Sequence, residues 1–207
     1  MKTLSIRGEI VSVFYLVRHG ETDYSQGKIA QGQTDVPLNA VGLATANSLG
    51  LFIANNLNIK FIFSSDLLRC RQTCSAIVEK IKYSINCETV SELREISLGV
   101  FEGRPIKELE LSRKESNDYN AYVPEGGESF NRFTDRVMTW FRKEFASFEN
   151  ALIISHRGTI SVITDRATNK NEFDIKELLK QGNIVVIEAC SVDEYRISKI
   201  IKLGETI

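Results

Sequence analysis

The chain carries only two histidines in 207 residues, and both follow an apolar run. His19 ends "VFYLVRH" and His156 ends "ALIISH", each with an arginine and a glycine beside it. Imidazole titrates nearest neutrality and can act as a nucleophile or a base. Arginine presents a planar fork of donors that matches phosphate oxygens. In "SSDLLRCRQT", residues 64–66 open a helix that carries Arg69 in its first turn. A helix N-terminus offers unpaired N–H groups to an anion. Arg18, Arg69, two histidines and a helix N-terminus together describe a cradle for a dianionic phosphoryl group. Its transfer needs mainly positioning and stabilisation of charge on the equatorial oxygens. A histidine nucleophile would split one difficult displacement into two easier ones.

These residues are far apart in the chain, so the elements around them must bring them together. Residues 11–17, 59–65, 87–90, 151–155, 183–190 and 195–201 read as strands. Between them come helical patterns: from Ala40, capped by Asn39, to about residue 56; from Ser64 or Ser65 to about residue 82; and from near 158–160 onward. Phe130, Phe133, Val137, Trp140, Phe141, Phe145 and Phe148 recur at helical spacing and read as core. Residues 92–124 give no long periodic signal and read as loops with one or two short helices covering a site. Strands alternating with helices imply right-handed βαβ units and a mostly parallel sheet covered on both faces. Ligands bind such sheets at the carboxyl ends of the strands, where both histidines fall.

Length and composition suit one domain spanning residues 1–207. A net charge of −1 and the lack of a basic cluster argue against a nucleic-acid or membrane-surface binder. No run approaches a membrane span, and Arg7, Gly8 and Glu9 interrupt any signal-like stretch. Four cysteines (Cys70, Cys74, Cys87, Cys190) are too few for a disulfide framework, and a Cys70–Cys74 bridge along one helix would be strained. They read as reduced thiols of a cytoplasmic protein. Two histidines do not provide zinc-ligand spacing.

"LVRHGETD", "SSDLLRCRQT", "LREISLGVFEG", "PEGGES" and "IISHRGT", in that order, resemble the motifs of the histidine phosphatase superfamily, the phosphoglycerate-mutase-like enzymes. The resemblance runs from about residue 13 to 160. It implies a three-layer α/β/α sandwich, a phosphohistidine intermediate and no metal or other cofactor. By position, His19 would be the nucleophile, while Arg18, Arg69 and His156 would hold the phosphoryl oxygens. Glu95 would serve as general acid and then general base, a role suited to a partly buried carboxyl; Glu92 and Glu102 are its neighbouring rivals. Arg71 is the rival of Arg69, and the family spacing before the Gln–Thr pair selects Arg69. Gln31 and Gly32 match a loop that closes over the phosphate.

Two positions depart from the family pattern. Ser25 stands where asparagine is usual; its hydroxyl can still donate to phosphate but reaches less far, so weaker phosphate affinity or a loop drawn inward is expected. Arg157 stands where glycine commonly follows the second histidine. Either that backbone has a positive φ, which would strain an arginine, or Arg157 adds a cation for a second acidic group on the substrate. The cap-like segment, about residues 99–126, is short, which favours a phosphomonoesterase acting on a small phosphorylated metabolite. The alternatives are a mutase-type phosphotransferase and a non-catalytic phosphate-binding module. Oligomeric state is not legible; a homodimer is compatible with the sequence.

Overall fold

The computed structural model describes residues 12–116, 118, 120–145, 148–189, 191 and 194–204, without the side chain of residue 145. Strand β1 (Ser12–Arg18) forms from the first β-branched and aromatic run and continues one residue further than its apolar stretch. Residue 11 lies outside the described residues. After a short helix, α1 (Asp23–Gln26), comes α2 (Ala40–Asn56), whose Asn39 cap accepts a hydrogen bond from Gly42 N–H (2.9 Å), as predicted. Next are β2 (Phe61–Ser65), α3 (Leu68–Val78) and β3 (Asn86–Val90). The unpatterned stretch holds two short 3-10 turns and α4 (Ile106–Glu115). Then follow α5 (Phe130–Phe145), β4 (Ala151–Ser155), α6 (Arg157–Thr164), α7 (Ile175–Leu178), β5 (Asn183–Ala189) and β6 (Tyr195–Lys202). Cys190, expected at the end of a strand, lies outside the described residues.

The six strands form one sheet in the order β3-β2-β4-β1-β5-β6. β1, β4, β2 and β3 are mutually parallel, while β5 pairs antiparallel with both β1 and β6. The expected mostly parallel sheet is thus observed, with β5 alone running against the others. Alternation along each strand divides the core between its two faces. Leu16 and Ile153 face Phe133, Val137 and Phe141 of α5. Their neighbours Val17 and Ile154 face Leu49 and Ile53 of α2 and Ile77 of α3. These are the three layers of an α/β/α sandwich.

Phe133, Val137, Trp140 and Phe141 of the stripe on α5 are core, and Phe130 packs against them partly buried. Trp140 meets Phe63 edge-on, with centroids 5.2 Å apart, and Phe141 meets Phe14 at 5.6 Å. Such pairs add about 0.5–1.5 kcal/mol beyond burial. Phe148 continues the contact from beyond the helix, 4.4 Å from the Phe61 ring. Among the described residues, no helix is long and apolar enough to cross a membrane.

Candidate active site

β1 and β4 are adjacent and parallel, with Arg18 in register with Ser155. The residue after each strand is a histidine, so the two imidazoles leave the same sheet edge side by side. Their ring centroids lie 5.2 Å apart, and His19 N–H donates to Ser155 O (2.9 Å). Both rings are buried. Burial first, then the charges of Arg69 and Arg18, hold the His19 imidazole well below its ordinary 6.5. Burial, Arg69 and the neighbouring His19 do the same for His156. Both are therefore neutral at physiological pH.

Their tautomers differ. His19 Nδ1 lies 2.7 Å from Gly20 O, a carbonyl that can only accept, so Nδ1 carries the proton and Nε2 keeps its lone pair. Arg69 Nε can only donate, and it donates to His156 Nδ1 (3.2 Å). The His156 proton is thereby placed on Nε2, 2.9 Å from Ser65 Oγ. Cys70 Sγ lies 3.5 Å from that nitrogen, and burial pushes its thiol up to about 12, which makes it inert. His156 thus sits beside His19 as predicted, but with both ring nitrogens engaged by the protein.

Arg69 is buried, and its two outer nitrogens donate to Thr34 O and Gly32 O, each at 2.8 Å. Its α3 does not begin as expected. The N-cap is Leu67 rather than Ser64 or Ser65, and it makes no side-chain cap bond. The Asp35 carboxylate from the preceding loop accepts from Leu68 N–H instead. The predicted anion site at this helix N-terminus is therefore occupied by the protein's own acid, while Ser65 is turned inward to His156. Arg71, exposed, pairs with the other oxygen of Asp35 (3.8 Å) rather than entering the site.

Arg18 donates from Nη1 to Leu179 O (3.1 Å), and its buried Nε has no partner among the described residues. Burial lowers its guanidinium to about 10, against the opposing pull of Glu95, so it stays charged. Arg18 also lines a cleft of about 440 Å³ together with Arg157, Lys176, Lys180 and Glu21. Arg157 is the first residue of α6, and among the described residues only Lys28 and Asn150 are non-glycines with positive φ. The backbone at Arg157 is ordinary helix, without the strain considered above.

Glu95 enters from the other side. Its Oε2 accepts from Gly158 N–H of α6 and its Oε1 from Ile96 N–H, both at 3.0 Å. A Cβ at position 158 would displace this carboxylate, so glycine there lets the Glu95 side chain approach the α6 backbone closely. The segment carrying Glu95 is clamped from α5. Arg136 donates to the carbonyls of Glu92 (2.7 Å), Arg94 (3.1 Å) and Glu95 (3.3 Å), and ion-pairs with Glu128 (2.6 Å). Arg94 pairs with Asp66 at 2.6 Å. The rival Glu102 accepts from Gln33 N–H (2.9 Å), Leu98 N–H (3.0 Å) and Thr34 Oγ1 (2.6 Å), and so anchors the loop under Arg69. Glu92 is exposed and accepts from the Ser91 hydroxyl (3.0 Å).

Ser25 is held within its own helical turn. Its Oγ donates to Thr22 O (2.9 Å) and accepts from Thr22 N–H (3.0 Å), closing a capping box on α1. The hydroxyl proton is committed there, not aimed at an anion. Gln31 accepts from Thr22 Oγ1 (3.1 Å), and Gly32, at φ +49°, presents its carbonyl to Arg69. The cap-like segment grips this loop: Ala30 N–H donates to Arg104 O and Gly103 N–H to Ala30 O.

Sequence reasoning missed Thr73, Asp35 and Arg136, and read Ser65 as a helix cap and not as the partner of His156. Thr73 Oγ1 accepts from Gly20 N–H (3.1 Å) and holds the His19 turn; it is the threonine of the Gln–Thr pair, which served above only to place Arg69. Arg136 had a signal, as a lone cation on an otherwise aromatic stripe. Among the described residues no group of three or more His, Cys, Asp or Glu side chains gathers as a metal would need.

Fold and site together define an α/β protein with a buried, neutral imidazole pair and two arginines at a parallel sheet edge. A family model of the histidine phosphatase superfamily (branch 1) matches residues 14–195, and the chain belongs to that superfamily. It is 39% identical over 130 residues to fructose-2,6-bisphosphatase TIGAR of Xenopus tropicalis, covering 61% of this chain and 47% of that protein. It is 27% identical over 181 residues to the broad-specificity phosphatase YOR283W of Saccharomyces cerevisiae, covering 84% and 78%. The chain spans about half the length of the TIGAR relatives it matches. Among solved structures it is similar to TTHB049 of Thermus thermophilus, with TM-score 0.70 and 28% identity over 92% of this chain and 99% of that one.

Proposed function

We propose that this protein is a metal-independent phosphomonoesterase that works through a phosphohistidine on His19. The observation that carries the reading is the unprotonated Nε2 of a buried, neutral imidazole beside two guanidiniums. Nε2 attacks phosphorus in line with the ester oxygen, the P–O bond to the alcohol breaks, and Arg18 and Arg69 balance the charge on the three equatorial oxygens. Glu95 gives a proton to the leaving alcohol and later takes one from the water that cleaves the N–P bond. Release of its bond from Gly158 or Ile96 N–H frees an oxygen for that exchange. His156 supports the reaction by orienting Arg69, and reaches a phosphoryl oxygen itself on exchanging Ser65. Relatives named as phosphatases support the hydrolytic outcome, while others named as phosphoglycerate mutases support the alternative of transfer to an acceptor alcohol.

The substrate fits the cleft as a small phosphorylated metabolite with a second anionic group. The transferred phosphoryl lies on one side of Arg18, and Arg157, Lys176 and Lys180 meet the second anion on the other. The test is turnover of a chromogenic phosphate monoester in EDTA, with rapid quenching to trap an acid-labile phosphoryl group on His19. Turnover lost in EDTA, or no trapped group at any quench time, overturns the mechanism; tight vanadate binding without turnover makes the protein a binding module. Arg157→Gly should lower kcat/KM on bisphosphorylated esters more than on esters with one anionic group. Equal effects on both refute the second subsite and leave the phosphatase reading standing.

A further inference from the structure

Cys74 lies on α3 and Cys87 on β3, the edge strand of the sheet. Cys87 is in register with Ile62, so both side chains point to the face on which α3 packs. The two sulfurs are 2.6 Å apart, closer than two non-bonded sulfurs rest and about 0.6 Å beyond a covalent S–S bond. Cys74 is buried and Cys87 is exposed. Cys70, one turn earlier on α3, is turned to Ser155 and His156 instead. This inference rests on the thiol geometry and not on the proposed reaction.

We propose that Cys74 and Cys87 are a redox-active dithiol that closes reversibly to a disulfide by exchange with low-molecular-weight disulfides. The shared hydrogen bond, its largest cause, lowers the Cys87 thiol and raises that of Cys74. The exposed Cys87 is therefore the first to ionise and the attacking sulfur. Its thiolate attacks a disulfide RSSR, forming a mixed disulfide and releasing RS⁻, which takes up the proton that Cys87 had lost. Cys74 then loses its proton and attacks the Cys87 sulfur, breaking the mixed bond and releasing a second RSH. Two protein thiols are oxidised and one RSSR is reduced to two RSH. The link ties the helix that carries Arg69 and Thr73 to the sheet edge and closes the chain segment between positions 74 and 87.

The test equilibrates the whole protein with mixtures of glutathione and glutathione disulfide, then blocks remaining thiols under native conditions. Lys80 and Lys82 lie between the two cysteines, so trypsin separates them and a bridge appears as a pair of peptides joined until reduced. The expected result is that pair, an intact mass lower by about 2 Da, and a melting temperature raised by roughly 5–10 °C that dithiothreitol reverses. Cys87→Ser should abolish all three changes. Cys74→Ser, or Cys74→Ala if serine is not tolerated in the buried position, should instead accumulate a glutathione adduct on Cys87. A stable adduct on wild-type Cys87, a bridge through Cys70 or Cys190, or both thiols remaining reduced at every ratio would overturn the proposal.

Discussion

The turn after β1 and the turn after β4 share their residue types, leave adjacent parallel strands and bury their imidazoles side by side. Yet the proton sits on Nδ1 of His19 and on Nε2 of His156. The difference lies in the partner at Nδ1. A carbonyl oxygen demands a proton there, and a guanidinium N–H forbids one. One ring is left with an uncommitted lone pair. The other is a brace between Arg69 and Ser65. The same two residue types thus become a nucleophile and a support through neighbours supplied by different parts of the chain.

The comparison breaks most sharply at His19. His19→Ala should lose roughly 10⁴-fold or more in kcat, whereas His156→Ala should retain turnover about 10²–10³-fold below wild type. Steady-state assays on a chromogenic ester measure both, and equal losses would erase the distinction between nucleophile and brace. Glu95→Gln tests the group that serves the nucleophile from the far side. Esters of poor leaving groups should slow by about 10²–10⁴-fold, and activated aryl esters far less. Uniform slowing would remove Glu95 from proton transfer.

The buried pair also has a pH signature. Both imidazoles lie below 6.5 in the folded protein, so the unfolded chain binds more protons as pH falls under 6.5. Their contribution to stability is fully present above that pH and is lost on acidification toward the folded values. Each ring adds a slope of up to about 1.4 kcal/mol per pH unit. Urea midpoints between pH 7 and 5 should therefore decline less steeply in His19→Ala than in wild type; parallel curves would mean the ring is not held neutral by burial. The smallest effect belongs to Ser25. Ser25→Ala should cost about 1 kcal/mol of stability from the capping box and leave inhibition by inorganic phosphate close to wild type. A large rise in the phosphate inhibition constant would return that hydroxyl to the site.

Much of the site was legible because its parts follow elements with strong local signals. β-branched runs end at Arg18 and near His156, and Asn39 caps α2 as its side chain dictates. α3 misled for a physical reason. Ser64 and Ser65 are good local caps, but they sit in a strand whose pairing with β4 and β3 fixes their backbone, and the cap came from Asp35 across the loop. Ser25 shows the opposite case, a local bond to Thr22 that the sequence reading did not include.

Periodicity and order of motifs determine the layers, the strand ends and the residue types at the sheet edge, because these depend on near neighbours along the chain. Tautomers, the buried Arg69 resting on two carbonyls, the Arg136 clamp and the meeting of Cys74 with Cys87 depend on groups brought together from distant positions. Each is a matter of which donor meets which acceptor at about 3 Å. Only the packed sheet and its two helical layers set those distances.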